Sequence, residues 1–186
     1  MSDAIRRIHA PFDESTARSL RAGDRVLISG TILAARDAAH KRLVEALNRG
    51  ESLPVDLRGQ VVYYVGPSPA SPGHVIGSAG PTTAGRMDAY TPALLAQGLR
   101  GMIGKGYRSP AVVEAMKTHG VPYLAAVGGA GALIARCIRK YTVLAYEDLG
   151  PEAVAALEVE DFPAIVVIDS TGQNYYEAGQ APYRQL

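Results

Sequence analysis

Three observations predict an α/β fold built on a mixed central sheet. Short runs of apolar and β-branched residues recur along the chain, helix-period patterns with capping residues lie between several of them, and an Asp-Ser-Thr-Gly turn separates two strand-like runs near the C-terminal end. The runs are RVLIS (25–29), VVYYV (61–65), PYLAAV (122–127), TVLAY (141–145) and AIVVI (164–168), each short enough and β-branched enough to read as a buried strand.

The first well-marked helix is predicted from Arg36 to Asn48, with Leu43 and Leu47 on one stripe and Gly50 as its stop. A second begins in SPAVVEAMKTHG, where Ser109 is the N-cap, Pro110 takes the first helical position and Gly120 closes it. Residues 129–139 and 151–158 are two shorter helix candidates, the latter entered through Gly150 and Pro151. The turn at Asp169 to Gly172 suits a hairpin and therefore an antiparallel strand, which makes the sheet mixed.

The 186 residues give room for one hydrophobic core, so a single domain over 1–186 is expected. An apolar fraction of 47% and a charged fraction of 20% suit a water-soluble protein, with no run near the ~18 apolar residues of a membrane span. The N-terminal MSDAIRRIHAPFDEST has no apolar core and no small-residue cleavage site, so a cytoplasmic location is expected. A formal net charge of +1 and the absence of a Lys/Arg block argue against a nucleic-acid partner. The lone Cys137 makes no internal disulfide and by itself holds neither zinc nor an iron–sulfur cluster.

Residues 66–86, GPSPASPGHVIGSAGPTTAGR, are Gly, Pro or Ser at 12 of 21 positions. A flexible linker has that composition too, but the segment joins two parts of one expected core, which favours a binding loop. Its glycines precede Thr82, Thr83 and Arg86, and backbone amides in such a turn cradle anions while an arginine forks onto a carboxylate. Local capping of the next helix competes as the role of the threonines. The Lys-Ser/Thr end of a nucleotide phosphate loop is missing, so a small oxyanion fits better.

Arg36 and His40 are four residues apart on the stripe of Leu43 and Leu47 and so face protein. Either Arg36 pairs with a carboxylate such as Asp37 and His40 is a satisfied core histidine, or the two build a cationic pocket at a helix N-terminus. Lys105 lies between two glycines, where other groups approach the backbone closely. VGGAGAL (127–133) has the outline of a dinucleotide turn, but Ile134 stands at the third fingerprint position and would crowd the helix–strand contact; nicotinamide binding is a minor alternative.

Taken together, SGTILAARDAAHKR (29–42), GPTTAGRMDAY (80–90), IGKG (103–106), VGGAGAL (127–133) and EVEDFPAIVVIDSTGQNYYE (158–177) closely resemble the beta subunit, or C-terminal domain, of class I fumarases and L-tartrate dehydratases. The blocks span most of the chain in order. The resemblance implies a swivelling β/β/α domain acting as a hydro-lyase on a small dicarboxylic acid, fumarate or tartrate. It implies a [4Fe–4S] cluster held by a partner alpha subunit on three cysteines, within a hetero-oligomer. One cluster iron there acts as Lewis acid on substrate while a protein base moves the proton. Motif by motif, Arg36, Arg86 and Lys105 would bind carboxylates and Thr82 would transfer the proton, its alkoxide stabilised by positive charge such as that of Arg86. His40, Thr83 and Asp88 fall in the matching blocks with supporting roles. A non-catalytic scaffold or regulatory subunit is the alternative; loss of any of the four would have favoured it, and all four are present.

Overall fold

The computed structural model describes residues 4–184. In chain order the elements are β1 (Arg6–Ala10), α1 (Glu14–Ser19), β2 (Arg25–Ala34), α2 (Asp37–Asn48), β3 (Val61–Tyr63), α3 (Thr91–Ala96), β4 (Gly101–Gly104), α4 (Pro110–His119), β5 (Tyr123–Ala125), α5 (Gly131–Ala135), β6 (Ile138–Ala145), β7 (Val154–Ile168) and α6 (Tyr175–Ala178). Short 3-10 turns cover Ala84–Met87, Glu147–Glu152 and Ala181–Tyr183.

Strands β1 to β5 are parallel neighbours in sequence order. β7 runs antiparallel to both β5 and β2, so β2, β3, β4, β5 and β7 close into a five-stranded ring. Two strands exceed the usual length and serve two neighbours along one edge: β2 takes β1 at 26–30 and β3 at 33–34, and β7 takes β5 at 165–168 and β6 at 154–159. Closing the ring removes most of the unpaired edge that an open sheet would present.

The ring has two apolar faces. Val61, Tyr63 and Val65 join Ile32, Ile103, Leu124, Leu157 and Phe162 in one buried cluster, while their neighbours Val62 and Tyr64 join Leu43, Leu94, Met102, Met116 and Tyr123 in another, against α2, α3 and α4. Alternate side chains of a strand point to opposite faces, so strands covered on both faces read as unbroken apolar runs, which is why they were legible.

The two capped helices form close to where expected, at Asp37–Asn48 with Arg36 as N-cap and at Pro110–His119. Ser109 caps α4 by accepting the Val112 N–H at 3.4 Å, and Gly120 ends it in the left-handed conformation at φ 68°. Three expectations need correction. Residues 151–158 are not a helix: Gly150 and Pro151 sit in a 3-10 turn, and β7 starts at Val154, ten residues before the run expected. The alternation Leu157, Glu158, Val159, Glu160 is buried, exposed, buried, exposed, a period of two rather than 3.6. Residues 129–139 yield only the five-residue α5, because Ile138 already belongs to β6. The turn at Asp169 forms, with Gly172 N–H donating to Asp169 O at 3.0 Å, but only a single bridge, Ile168 to Asn174, follows it. Asn174 instead caps α6, so the mixed character of the sheet comes from β7 and not from a C-terminal hairpin.

VGGAGAL does not open a dinucleotide unit. The strand after α5 is β6, which pairs antiparallel with β7 and is no parallel neighbour of β5. No helix among the described residues is long and apolar enough to cross a membrane.

Candidate active site

Parallel strands deliver their following loops to one end of a sheet, and in open α/β sheets ligands bind outside those carboxyl ends. β2, β3 and β4 do so here: Arg36 follows β2 by two residues, residues 66–86 follow β3, and Lys105 directly follows β4. Residues 66–86 are an anchored loop rather than a linker. Ser68 and Ser78 exchange two hydrogen bonds across its neck, Tyr63 Oη donates to Ala79 O at 2.6 Å, and Thr82 N–H donates to Tyr64 O at 2.7 Å. Gly131 of α5 packs on the returning strand of the loop so closely that a Cβ there would lie 2.3 Å from Ser78 Oγ.

The anchoring places Thr82 and Lys105 on adjacent parallel segments. Lys105 N–H donates to Thr82 O at 3.2 Å, Ala84 N–H donates to Lys105 O at 2.8 Å, and Thr83 pairs with Lys105 as a one-residue parallel bridge. Thr83 occupies the N-cap position of the 3-10 turn without a capping side-chain bond, and Thr82 precedes that position. Neither hydroxyl is consumed by capping, so that role for the threonines does not hold. Among the described residues the Lys105 ammonium makes no ion pair and is exposed.

Two arginines on the neighbouring segments are each held by a carboxylate. Arg86 Nε lies 2.9 Å from Asp37 Oδ1, and Arg36, the residue before Asp37 and the N-cap of α2, places NH2 2.7 Å from Glu152 Oε1. The other oxygen of Glu152 accepts the Ala38 N–H of the first turn of α2 at 3.0 Å. The pairing of Arg36 with Asp37 that the sequence suggested is thus replaced by Arg36 with Glu152 and Asp37 with Arg86. Burial works to raise the Glu152 carboxyl, but the bonds from Arg36 and the Ala38 amide, with the charges of Arg36 and Arg86, hold it below the usual carboxylate range.

Of three buried side-chain polar atoms without a protein partner among the described residues, two lie here, Arg36 Nε and Asp37 Oδ2. Such atoms cost about 1–3 kcal/mol each unless a water, an ion or a ligand meets them.

His40 is a core histidine. It is 1% exposed, its Nδ1 lies 2.9 Å from Arg36 O, and its ring stands edge-on to Tyr64 with centroids 5.3 Å apart. Burial pushes its pKa down to about 4, so it is neutral at ordinary pH, with Nδ1–H donating to the Arg36 carbonyl. The stripe position is confirmed and the cationic role is not. Asp88 acts one layer deeper: its Oδ1 accepts Arg108 Nε at 2.8 Å and its Oδ2 accepts the Ser109 N–H at 2.6 Å.

Four contributing residues escaped sequence reasoning. Glu152 is separated from Arg36 by 116 positions, so no spacing rule links them. Gly66 opens the loop, and a Cβ there would lie 2.7 Å from Arg36 Cζ. Arg108 and Tyr64 were masked as a generic cation and a strand aromatic. A separate cleft of about 680 Å³, lined in part by His74, Ile76, Ala135 and Arg136, contains none of the cluster, so size alone does not locate it.

Residues 5–179 match the family described as Fumarase C-terminus. The chain belongs to that family. It is 44% identical over 156 residues to fumarate hydratase 2 of Leishmania major and 43% identical over 155 residues to the aerobic class I fumarate hydratase of Escherichia coli. These alignments cover 83% and 82% of this chain but 28% of each relative, so the chain spans under a third of the length of those fumarate hydratases. A protein of Methanocaldococcus jannaschii provisionally named L(+)-tartrate dehydratase subunit beta is 38% identical over 166 residues, covering 86% of this chain and 85% of its own length. Both kinds of relative bear the names of hydro-lyases.

The iron–sulfur chemistry that the resemblance implies does not fit this chain's donors. Its lone cysteine, Cys137, packs beside the inner apolar cluster with Sγ 3.8 Å from Asp161 O, and burial pushes its thiol up, away from the thiolate that binds iron. Among the described residues no group of three or more His, Cys, Asp or Glu side chains is placed to hold a metal.

Proposed function

We propose that this chain is the beta subunit of a [4Fe–4S]-dependent hydro-lyase that hydrates or dehydrates a small dicarboxylic acid, fumarate to malate or tartrate to oxaloacetate. The cluster is assigned to a partner alpha subunit, and the domain is the swivelling β/β/α unit of such an enzyme. One observation supports the reading: a lysine with no ion pair among the described residues, a threonine whose hydroxyl is not spent on capping and two arginines held by carboxylates lie on the segments that follow β2, β3 and β4.

Arg36, Arg86 and Lys105 bind the two carboxylates of the acid. A guanidinium presents a planar fork that matches a carboxylate, and each arginine keeps nitrogens beyond the one held by Glu152 or Asp37. Thr82 Oγ moves the proton at the carbon next to a carboxylate. Its alkoxide is a strong base in water, so the surrounding cations must favour the charged form. His40, neutral and buried, supports the backbone of Arg36 and takes no proton.

The test is reconstitution. This chain is expected to form no cluster absorbance band when treated anaerobically with iron and sulfide, and to gain fumarate or tartrate turnover when combined with a three-cysteine partner. A cluster band on the chain alone that survives Cys137→Ser would overturn the division of labour.

A further inference from the structure

Resting on the reading of Arg36 as a carboxylate-binding residue, we infer that Glu152 and Gly66 form a slot that positions Arg36. The guanidinium is fixed on two sides. One is electrostatic: NH2 meets Glu152 Oε1 at 2.7 Å, and the same carboxylate is tied by its second oxygen to the Ala38 amide, so the arginine is referenced to the N-terminus of α2. The other is steric: the guanidinium lies flat against the bare Cα of Gly66, where a Cβ would come within 2.7 Å of Cζ and 2.8 Å of both Nε and NH1.

The geometry leaves Arg36 NH1 without a hydrogen-bond partner among the described residues, while the side chain is 26% exposed. Glu152 therefore takes one end of the fork and leaves an end for a ligand. Arg36 is the last residue before a helix and extends from an N-cap with φ −142°, so its own backbone does not dictate where a side chain with several rotatable bonds points. An untethered arginine loses rotamer freedom on binding, and pre-setting it lowers that cost. Glu152 reaches the site from the 3-10 turn between β6 and β7, whose placement depends on the ring being closed.

Glu152 is a positioning residue and acts through Arg36, so its removal should affect binding more than chemistry. In the reconstituted enzyme, Glu152→Gln keeps the size but cannot accept from both Arg36 and the Ala38 amide. KM for the dicarboxylate and Kd for the unreactive analogue succinate should each rise about tenfold, the scale of a charge-assisted hydrogen bond, with kcat within about threefold. Glu152→Asp, which keeps the charge, should recover part of the loss. Gly66→Ala, which displaces the guanidinium without touching Glu152, should give the same KM-weighted defect even if Glu152→Gln folds poorly. Arg36→Lys and the Arg36→Lys, Glu152→Gln double variant complete a cycle, and the double should be no worse than the worse single.

If Arg36→Lys raises KM while Glu152→Gln and Gly66→Ala leave it within twofold, the positioning role is overturned and the carboxylate-binding role of Arg36 stands. If none of the variants alters KM, both fall. A lower KM in Glu152→Gln would also overturn the inference, by showing that Glu152 competes with substrate for Arg36.

Discussion

Asp88 grips Arg108 Nε at 2.8 Å with one oxygen and the Ser109 amide at 2.6 Å with the other, joining the loop that carries Thr82 and Arg86 to the segment that carries Lys105. The Arg108 side chain is wholly buried, donating also to Thr91 Oγ1 at 2.7 Å and Tyr64 Oη at 3.1 Å and lying over the rings of Tyr64 and Tyr123. Asp88 thus supports the site from beneath, with no contact to a substrate needed.

Removing one member of a buried ion pair strands the other. Asp88→Ala is therefore expected to destabilise the protein by about 3–5 kcal/mol, the cost of an uncompensated buried charge. Thermal unfolding checks this, and a loss no larger than that of an exposed pair such as Lys117 with Glu114 would show that Arg108 finds water or another acceptor.

His40 makes stability depend on pH. Its folded pKa of about 4 lies below the 6.5 of an ordinary histidine, so on acidification the unfolded chain takes up the proton first. The stabilisation is present above pH 6.5 and is lost as pH falls towards 4. Between pH 7 and pH 5 the single-site loss is on the order of 2 kcal/mol. His40→Gln, which does not titrate, should lack this component in denaturant melts at the two pH values; equal slopes in both proteins would show that another group sets the acid limb.

Arg86 is half-exposed, with Nε 2.9 Å from Asp37 Oδ1. Arg86→Lys keeps the charge and loses the fork, so in the complete enzyme kcat/KM should fall about tenfold or more. Unchanged steady-state kinetics would reduce Arg86 to a surface ion pair with Asp37.

Thr82→Val nearly keeps the shape of the side chain and removes the hydroxyl. With no capping bond to lose, the variant should melt within about 0.5 kcal/mol of the parent, as uncommitted surface positions do. Its kcat in the complete enzyme should fall about 100-fold or more, with cluster content and succinate binding retained. Turnover near normal would remove Thr82 from the catalytic list and leave a carboxylate site without a base.

By itself the sequence determined what local physics can determine. The run at Val61 to Val65 pointed to a strand buried on both faces, which forms over Val61–Tyr63, Ser109 and Gly120 pointed to the bounds of a helix, and a long Gly/Pro/Ser segment between two core strands favoured a binding loop over a linker. The matching blocks then brought Arg36, Thr82, Arg86 and Lys105 forward together. What the sequence did not determine depended on ring closure. Residues 151–158 read as a short helix because a brief window leaves period two and period 3.6 close to equivalent; from Val154 onward, pairing with β2 on one side and β6 on the other decided for strand. The partners of the charges were decided in the same way. Asp37 is the sequence neighbour of Arg36, yet Glu152, delivered beside the end of β2 by the turn before β7, holds the guanidinium, and Asp37 is left for Arg86. An ion pair forms between groups that the fold brings within a few ångströms, and separation along the chain carries no information about that distance once the sheet has closed.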